Sequence, residues 1–442
     1  MFGRLKSLLG QAQNHGGEML WIMLGQIVAA LGTFAGVRVL TELMTPGEYG
    51  KVALVLSLVN LVQLSLGRAF GTASYRFLGV SQDKGELGAF GAVTLRWSAG
   101  SIAMLLVFLP LLLLLRLGLD WPVSVPLLAG GVGLTAFLLL HALGTGIENA
   151  ARHRPAAAIG QMGYEWGRVL LAALLVAVVT PSAEMAVVGF MASAVLATAF
   201  HGFFIRKWLA FPEIHLFQDV RETYVGKHYA GYLLPVVAGG FLTWIFLFSV
   251  RWILMRFESL EDVAVFSAFY QIGVVPSLLG ASVLNSLLAP IFYRRVSDGQ
   301  DKATHARMFR VNLAVAAGIL AVVVAGTLAV AIMRGWICAL LLDEAYRTHA
   351  WMLPWMVVAG GLYAVGEQLL ISVMSFSSTK ILIPLKAVMA GLAVAVYWYA
   401  AGRFGLNGVV FALAVLGGGY ALLMFFAWLG MYLKSFGLAG ER

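Results

Sequence analysis

The sequence predicts an all-α polytopic membrane protein with twelve transmembrane helices in two pseudo-symmetric six-helix lobes. Three observations predict it. Hydrophobic residues make up 61% of the 442 residues and charged residues 12%, whereas soluble domains run near half apolar and a quarter charged. The apolar excess extends from residue 18 to residue 437, which leaves no room for a soluble domain. The few charges punctuate it at helical intervals. A helix crossing the hydrocarbon layer needs about 20 residues.

Nine uncharged intervals reach roughly that length. They run from Glu18 to Arg38, Arg96 to Arg116, Asp120 to Glu148, Glu184 to Arg206, Lys227 to Arg251, Asp262 to Arg294, Arg310 to Arg334, Arg347 to Glu367 and Arg403 to Lys434. Three further spans carry charges inside them: 52–76 holds Arg68, 156–180 holds Glu165 and Arg168, and 379–402 holds Lys386. A membrane β-barrel would show alternating segments of about ten residues; these runs are continuous and rich in Leu, Ala, Val and Gly.

Residues 1–16 read as a basic amphipathic lead-in, and no cleaved signal is expected. Residues 17–209 form the N-terminal lobe, 210–227 a cytoplasmic linker and 228–437 the C-terminal lobe. Twelve helices with both termini inside place 19 of the 30 Lys and Arg in cytoplasmic loops and 7 outside. This is the positive-inside bias. It accounts for the net charge of +9 without nucleic acid. The single cysteine, Cys338, allows no disulfide within the chain.

The two lobes are related in sequence. At a constant offset of 213, Val37 and Arg38 match Val250 and Arg251, and Glu48 matches Glu261. Such parallel repeats belong to transporters that rock two halves about a central cavity. GxxxG spacings at Gly32/Gly36 and Gly163/Gly167 let helices approach closely.

Residues 25–79 carry the segment RVLTELMTPGEYGKVAL (38–54) and the pair Tyr75-Arg76. This stretch resembles the opening of the oligosaccharide/polysaccharide flippases of the MOP superfamily. The resemblance implies a flippase of the O-antigen or exopolysaccharide type in the bacterial inner membrane. Such a protein moves an undecaprenyl-diphosphate-linked oligosaccharide from the cytoplasmic to the periplasmic leaflet by alternating access. It implies membrane lipids, H+ or Na+ and other polysaccharide assembly proteins as partners. The alternatives are a multidrug or metabolite cation antiporter of the same superfamily and a membrane-embedded polysaccharide polymerase or ligase. Short outside loops count against the latter.

Intramembrane charges are costly and mark functional sites. Arg68, Arg96 and Arg168 all fall in the N-terminal lobe and are the candidates to bind a diphosphate, whose oxygens suit guanidinium forks. Arg168 stands three residues from Glu165, close enough for mutual neutralisation. Glu367 and Glu165 are the candidate ion-coupling carboxylates, with a salt bridge from Glu367 to Lys386 as the structural alternative. Arg38 and Arg251, near outer helix ends, are gate or structural residues, with Glu48 and Glu261 as partners. Arg152 is expected to pair with Glu148, four residues before it. His141, a lone imidazole in helix 4, is expected to make a helix–helix hydrogen bond, with a proton relay as the alternative. Gln26, Asn60, Gln63, Gln161, Gln271, Asn285, Tyr164 and Tyr270 could contact sugar or join helices. No Gly-rich phosphate loop ending in Gly-Lys, no metal-ligand motif and no cofactor site is present.

Overall fold

The computed structural model describes residues 2–119, 121–208, 219–298, 302–376 and 382–435. Residues 210–218 of the expected linker lie outside them. Among the described residues every regular element is a helix, with no strand. In order they form α1 (Phe2–Leu43), α2 (Pro46–Asp83), α3 (Leu87–Leu119), α4 (Val125–Ala150), α5 (Arg154–Val178), α6 (Ala183–Trp208) and α7 (Tyr224–Phe257). Then come α8 (Leu260–Gly273, continued by Val275–Asp298), α9 (Lys302–Leu341), α10 (Met352–Phe376) and a long helix from Leu382 to Ser435.

Ten of these are long and apolar enough to cross a membrane. The long helix contains Gly405 at φ 58°, ψ −143°, which divides it into α11 (382–404) and α12 (406–435). The left-handed value suits glycine. The remaining helix, α5, has 25 residues and carries Glu165 and Arg168, the charges that depress its hydropathy. Among the described residues the long helices therefore number the expected twelve, beside one short helix, Glu344–Arg347.

Local signals set the helix starts. Ser259 and Asp262 form a reciprocal capping box at α8, each side chain taking the other's backbone N–H at 3.2 Å. Ser124 caps α4 by accepting from Leu127 N. Pro46 and Pro155 sit in first turns, where a missing N–H costs nothing. Between its α-helical parts α2 contains a π-helical turn, Gln63–Gly67, immediately before Arg68. Such turns recur at functional sites.

The chain divides into two compact units, residues 1–44 with 55–241 and residues 45–54 with 242–442. The division falls inside α7. Its first half belongs to the first unit because Val225, Tyr229 and Leu233 bury against Phe70, Phe77 and Phe90. Within the same unit α1 runs along α5 in a fixed register. A Cβ on Gly25 would meet Ala158, one on Gly32 would meet Glu165, and one on Gly36 would meet Val169. The constant offset means that the two helices run in the same direction. It also carries Thr33 to the charged middle of α5. Of the second GxxxG pair, Gly167 faces Ser193 on α6 while Gly163 faces open space.

In the second unit the beginning of α2 meets the beginning of α8. A Cβ on Gly50 would lie 3.1 Å from the Leu260 carbonyl carbon. The Tyr49 ring meets Tyr346 edge-on at 6.3 Å. Tyr346 lies outside the spans, and burial pushes its phenol pKa up.

Candidate functional site: a polar chain through the first unit

The charged centre of α5 is the end of a longer structure. Arg168 Nη2 lies 2.7 Å from Glu165 Oε2 and also donates to Thr33 Oγ1 of α1 at 3.2 Å. Tyr164 and Phe190 present their rings to the guanidinium at 5.8 and 5.9 Å. The neutralisation expected within α5 therefore forms, and α1 completes it.

One turn earlier Gln161 donates through Nε2 to Glu165 Oε1 at 3.2 Å and presents Oε1 to His141 Nε2 at 3.1 Å. His141 Nδ1 is 3.0 Å from His201 Nε2, and His201 Nδ1 is 2.8 Å from Glu148 Oε1. An unbroken hydrogen-bonded chain thus joins Glu148, His201, His141, Gln161, Glu165 and Arg168 across α4, α5 and α6. His201 and Glu148 have side-chain exposures of 1% and 0%. His201 is slotted between two glycines, since a Cβ on Gly144 would meet its Cβ and one on Gly160 would meet its ring.

His141 makes the interhelical hydrogen bonds expected of it, to Gln161 and His201. One expectation is corrected. Glu148 turns into the lobe to His201 rather than outward to Arg152, which is exposed at the α4–α5 turn with φ 63°. That left-handed backbone breaks the helical geometry an i,i+4 pair needs. The partner His201 lies 53 residues from Glu148 and 60 from His141, so no local spacing announces it. The only sequence-level signal was two polar residues in otherwise apolar helices.

Arg68 opens the helical turn after the π-segment, exposed, and forms no hydrogen bond or ion pair through its side chain with any described residue. Beside it Gln63 Nε2 is buried without a described hydrogen-bond partner. The π-segment packs on Gly240 of α7, where a Cβ would lie 2.7 Å from Ser65 Cα. Arg96 is half-buried on α3. Arg38 pairs with Glu42 at 3.0 Å on the same helix. Asn60 spends its amide on the Leu56 carbonyl.

In the second unit Glu367 accepts from Tyr420 Oη at 2.5 Å and lies 3.8 Å from Lys386 Nζ, which donates to Thr243. The structural alternative for Glu367 is therefore present. Its neighbour Gln368 donates to Asn312, which in turn donates to Ser372. Arg251 is buried without a described carboxylate partner. Its Nε donates to Ser267 Oγ at 3.1 Å, and Tyr270, Phe248 and Phe266 surround it with centroids at 4.4, 4.9 and 5.6 Å. Its expected pairing with Glu261 is replaced by this aromatic cage. Glu261 is exposed in the first turn of α8, while Arg251 points into the core.

The fold is similar to that of transporters of known structure. The chain is similar to the lipid II flippase MurJ in an inward closed conformation (TM-score 0.70, 12% identity, covering 95% of this chain and 90% of that one). It is similar to the MATE transporter VcmN of Vibrio cholerae (0.67, 13%, 97% and 98%). It is also similar to a MOP-superfamily transporter of Pyrococcus furiosus whose binding pocket has reversed polarity (0.65, 15%, 96% and 95%). No family model matches the sequence, and no curated protein matches it. At these identities the likeness establishes the fold. It is a multi-pass helical fold shared with these solved transporters.

Proposed function

We propose that the protein is a flippase for an undecaprenyl-diphosphate-linked oligosaccharide. It carries the glycan from the cytoplasmic to the periplasmic leaflet of the inner membrane by alternating access coupled to an ion gradient. The observation that carries this reading is Arg68, an exposed guanidinium within an apolar span and without a described partner. Facing hydrocarbon, such a charge costs at least about 2.5–3.5 kcal/mol. Facing a wet cavity it costs little, and its planar fork suits diphosphate oxygens. Arg96 and Arg168 are the further cations of the same unit, the sugar occupies the cavity and the prenyl tail stays in lipid. That one similar structure is a lipid II flippase supports a lipid-linked substrate.

A cation antiporter is the second reading, favoured by the likeness to MATE transporters. The carboxylates it would use, Glu165 and Glu367, are both engaged by bases, Arg168 and Lys386. That supports an anionic cargo instead. Deleting the gene separates the two. The flippase reading expects loss of surface glycan and accumulation of its lipid-linked precursor. Intact glycan with lost drug resistance would overturn it in favour of the antiporter.

A further inference from the structure

The hydrogen-bonded chain in the first unit constrains where its protons can sit. With Glu165 ionised, Gln161 must turn its N–H to Glu165 and its oxygen to His141, which is the arrangement present. A carbonyl oxygen only accepts, so His141 Nε2 carries a hydrogen. A neutral His141 then accepts at Nδ1 from His201 Nε2–H. His201 Nδ1 is left facing Glu148 Oε1 across 2.8 Å. One proton must lie between them, as imidazolium with carboxylate or as imidazole with carboxylic acid. Two acceptors opposed at that distance between nearly fully buried side chains would forfeit the hydrogen bond and the desolvation cost together.

Protonating Glu165 reverses every polarity. The carboxylic acid donates to Gln161, whose amide turns over and donates to His141 Nε2. His141 then donates from Nδ1 to His201 Nε2, and His201 donates from Nδ1 to an ionised Glu148. The proton formerly shared at Glu148 and His201 has gone, and Arg168 has lost its counter-charge.

We propose that this chain is a two-position proton site, occupied either at Glu148–His201 or at Glu165, and that occupancy of Glu165 releases Arg168 to bind an anion. The proposal rests on the reading of Arg168 as a substrate-binding cation. Glu165, with a side chain 14% exposed, takes its proton from water. The Glu148–His201 proton leaves by the cavity of about 510 Å³ that His201 lines with Thr94, Thr198 and Arg206. Other groups facing the chain are Tyr164, stacked obliquely on His141 at 5.2 Å, and Thr145, 3.3 Å from His201 Nε2. Arg154 is held by Asn149 at 2.9 Å. None of these supplies a second acid to the chain.

The test is nitrogen-15 NMR of histidine-labelled full-length protein in lipid bilayers, with His141 and His201 assigned by single substitutions. The unmutated protein should show His141 carrying hydrogen on Nε2. In Glu165→Gln, Arg168 still claims the side-chain oxygen, so the new amide N–H faces Gln161 as the protonated acid would. His141 should switch to the Nδ1–H tautomer and His201 to the neutral Nδ1–H form. An unchanged His141 tautomer overturns the proposal. The two states hold equal numbers of protons, so acid alone does not drive the switch; Arg168→Met, which removes the cation that holds Glu165 ionised, should give the same tautomers in case Glu165→Gln fails to fold. Inorganic diphosphate tests the underlying reading separately. If it produces the switch, both stand. If Glu165→Gln switches His141 and diphosphate does not, the proton site stands and Arg168 is not the diphosphate ligand.

Discussion

His201 Nδ1 lies 2.8 Å from Glu148 Oε1, and neither side chain reaches the surface. A buried pair of this kind adds little net stability, yet removing one partner strands the other. His201→Ala should therefore cost about 3–5 kcal/mol, seen as a sharply lower melting temperature in detergent. The double variant His201→Leu with Glu148→Met removes both polar groups and should recover most of the loss. If the single variant melts normally, the pair is not desolvated.

The imidazole slot makes a second contrast. Gly160→Ala would place a Cβ 2.7 Å from His201 Nε2 and should lower stability and disturb the His141 bond. Gly163→Ala, three residues on, meets nothing within 4 Å. It should be neutral or stabilise slightly, up to about 1 kcal/mol from helix propensity. Paired thermal melts check both.

These positions also mark how far the sequence could be read. Twelve spans were visible because charge spacing is a local property, and even α5 was visible through its two charges. The Glu165–Arg168 pair was visible because three residues bring side chains together on a helix. The rest of the chain was hidden because tertiary packing, not spacing, brings His201 to Glu148 and His141. Arg251 misled for a related reason. Of its nearest acids in sequence, Glu258 is half-buried beside Gly405, Glu261 is exposed and Asp262 caps α8, while the rings that hold it lie on α7 and α8. The π-segment before Arg68 has no signature in a run of apolar residues.

The Arg251 cage separates structure from gating. A desolvated cation–π contact contributes about 2 kcal/mol or more, so Arg251→Ala should destabilise by at least that. Arg251→Met fills the volume without a buried charge and should fold near normally. Transport that survives in Arg251→Met identifies a structural residue; transport lost in a stable variant identifies a gate.

Exposure of position 68 is open to chemistry. Cys338, the one native cysteine, is buried and should stay silent to a membrane-impermeant thiol reagent. Arg68→Cys should label from the aqueous phase in bilayers. Absence of labelling in every condition would place this position against lipid or protein.

Reconstituted transport tests the cationic cavity most directly. Vesicles carrying the purified protein and an undecaprenyl-diphosphate oligosaccharide should transfer the glycan between leaflets. Arg68→Gln combined with Arg168→Gln should abolish that transfer in protein that folds and inserts normally. Transfer at the unmutated rate in the double variant would contradict the account.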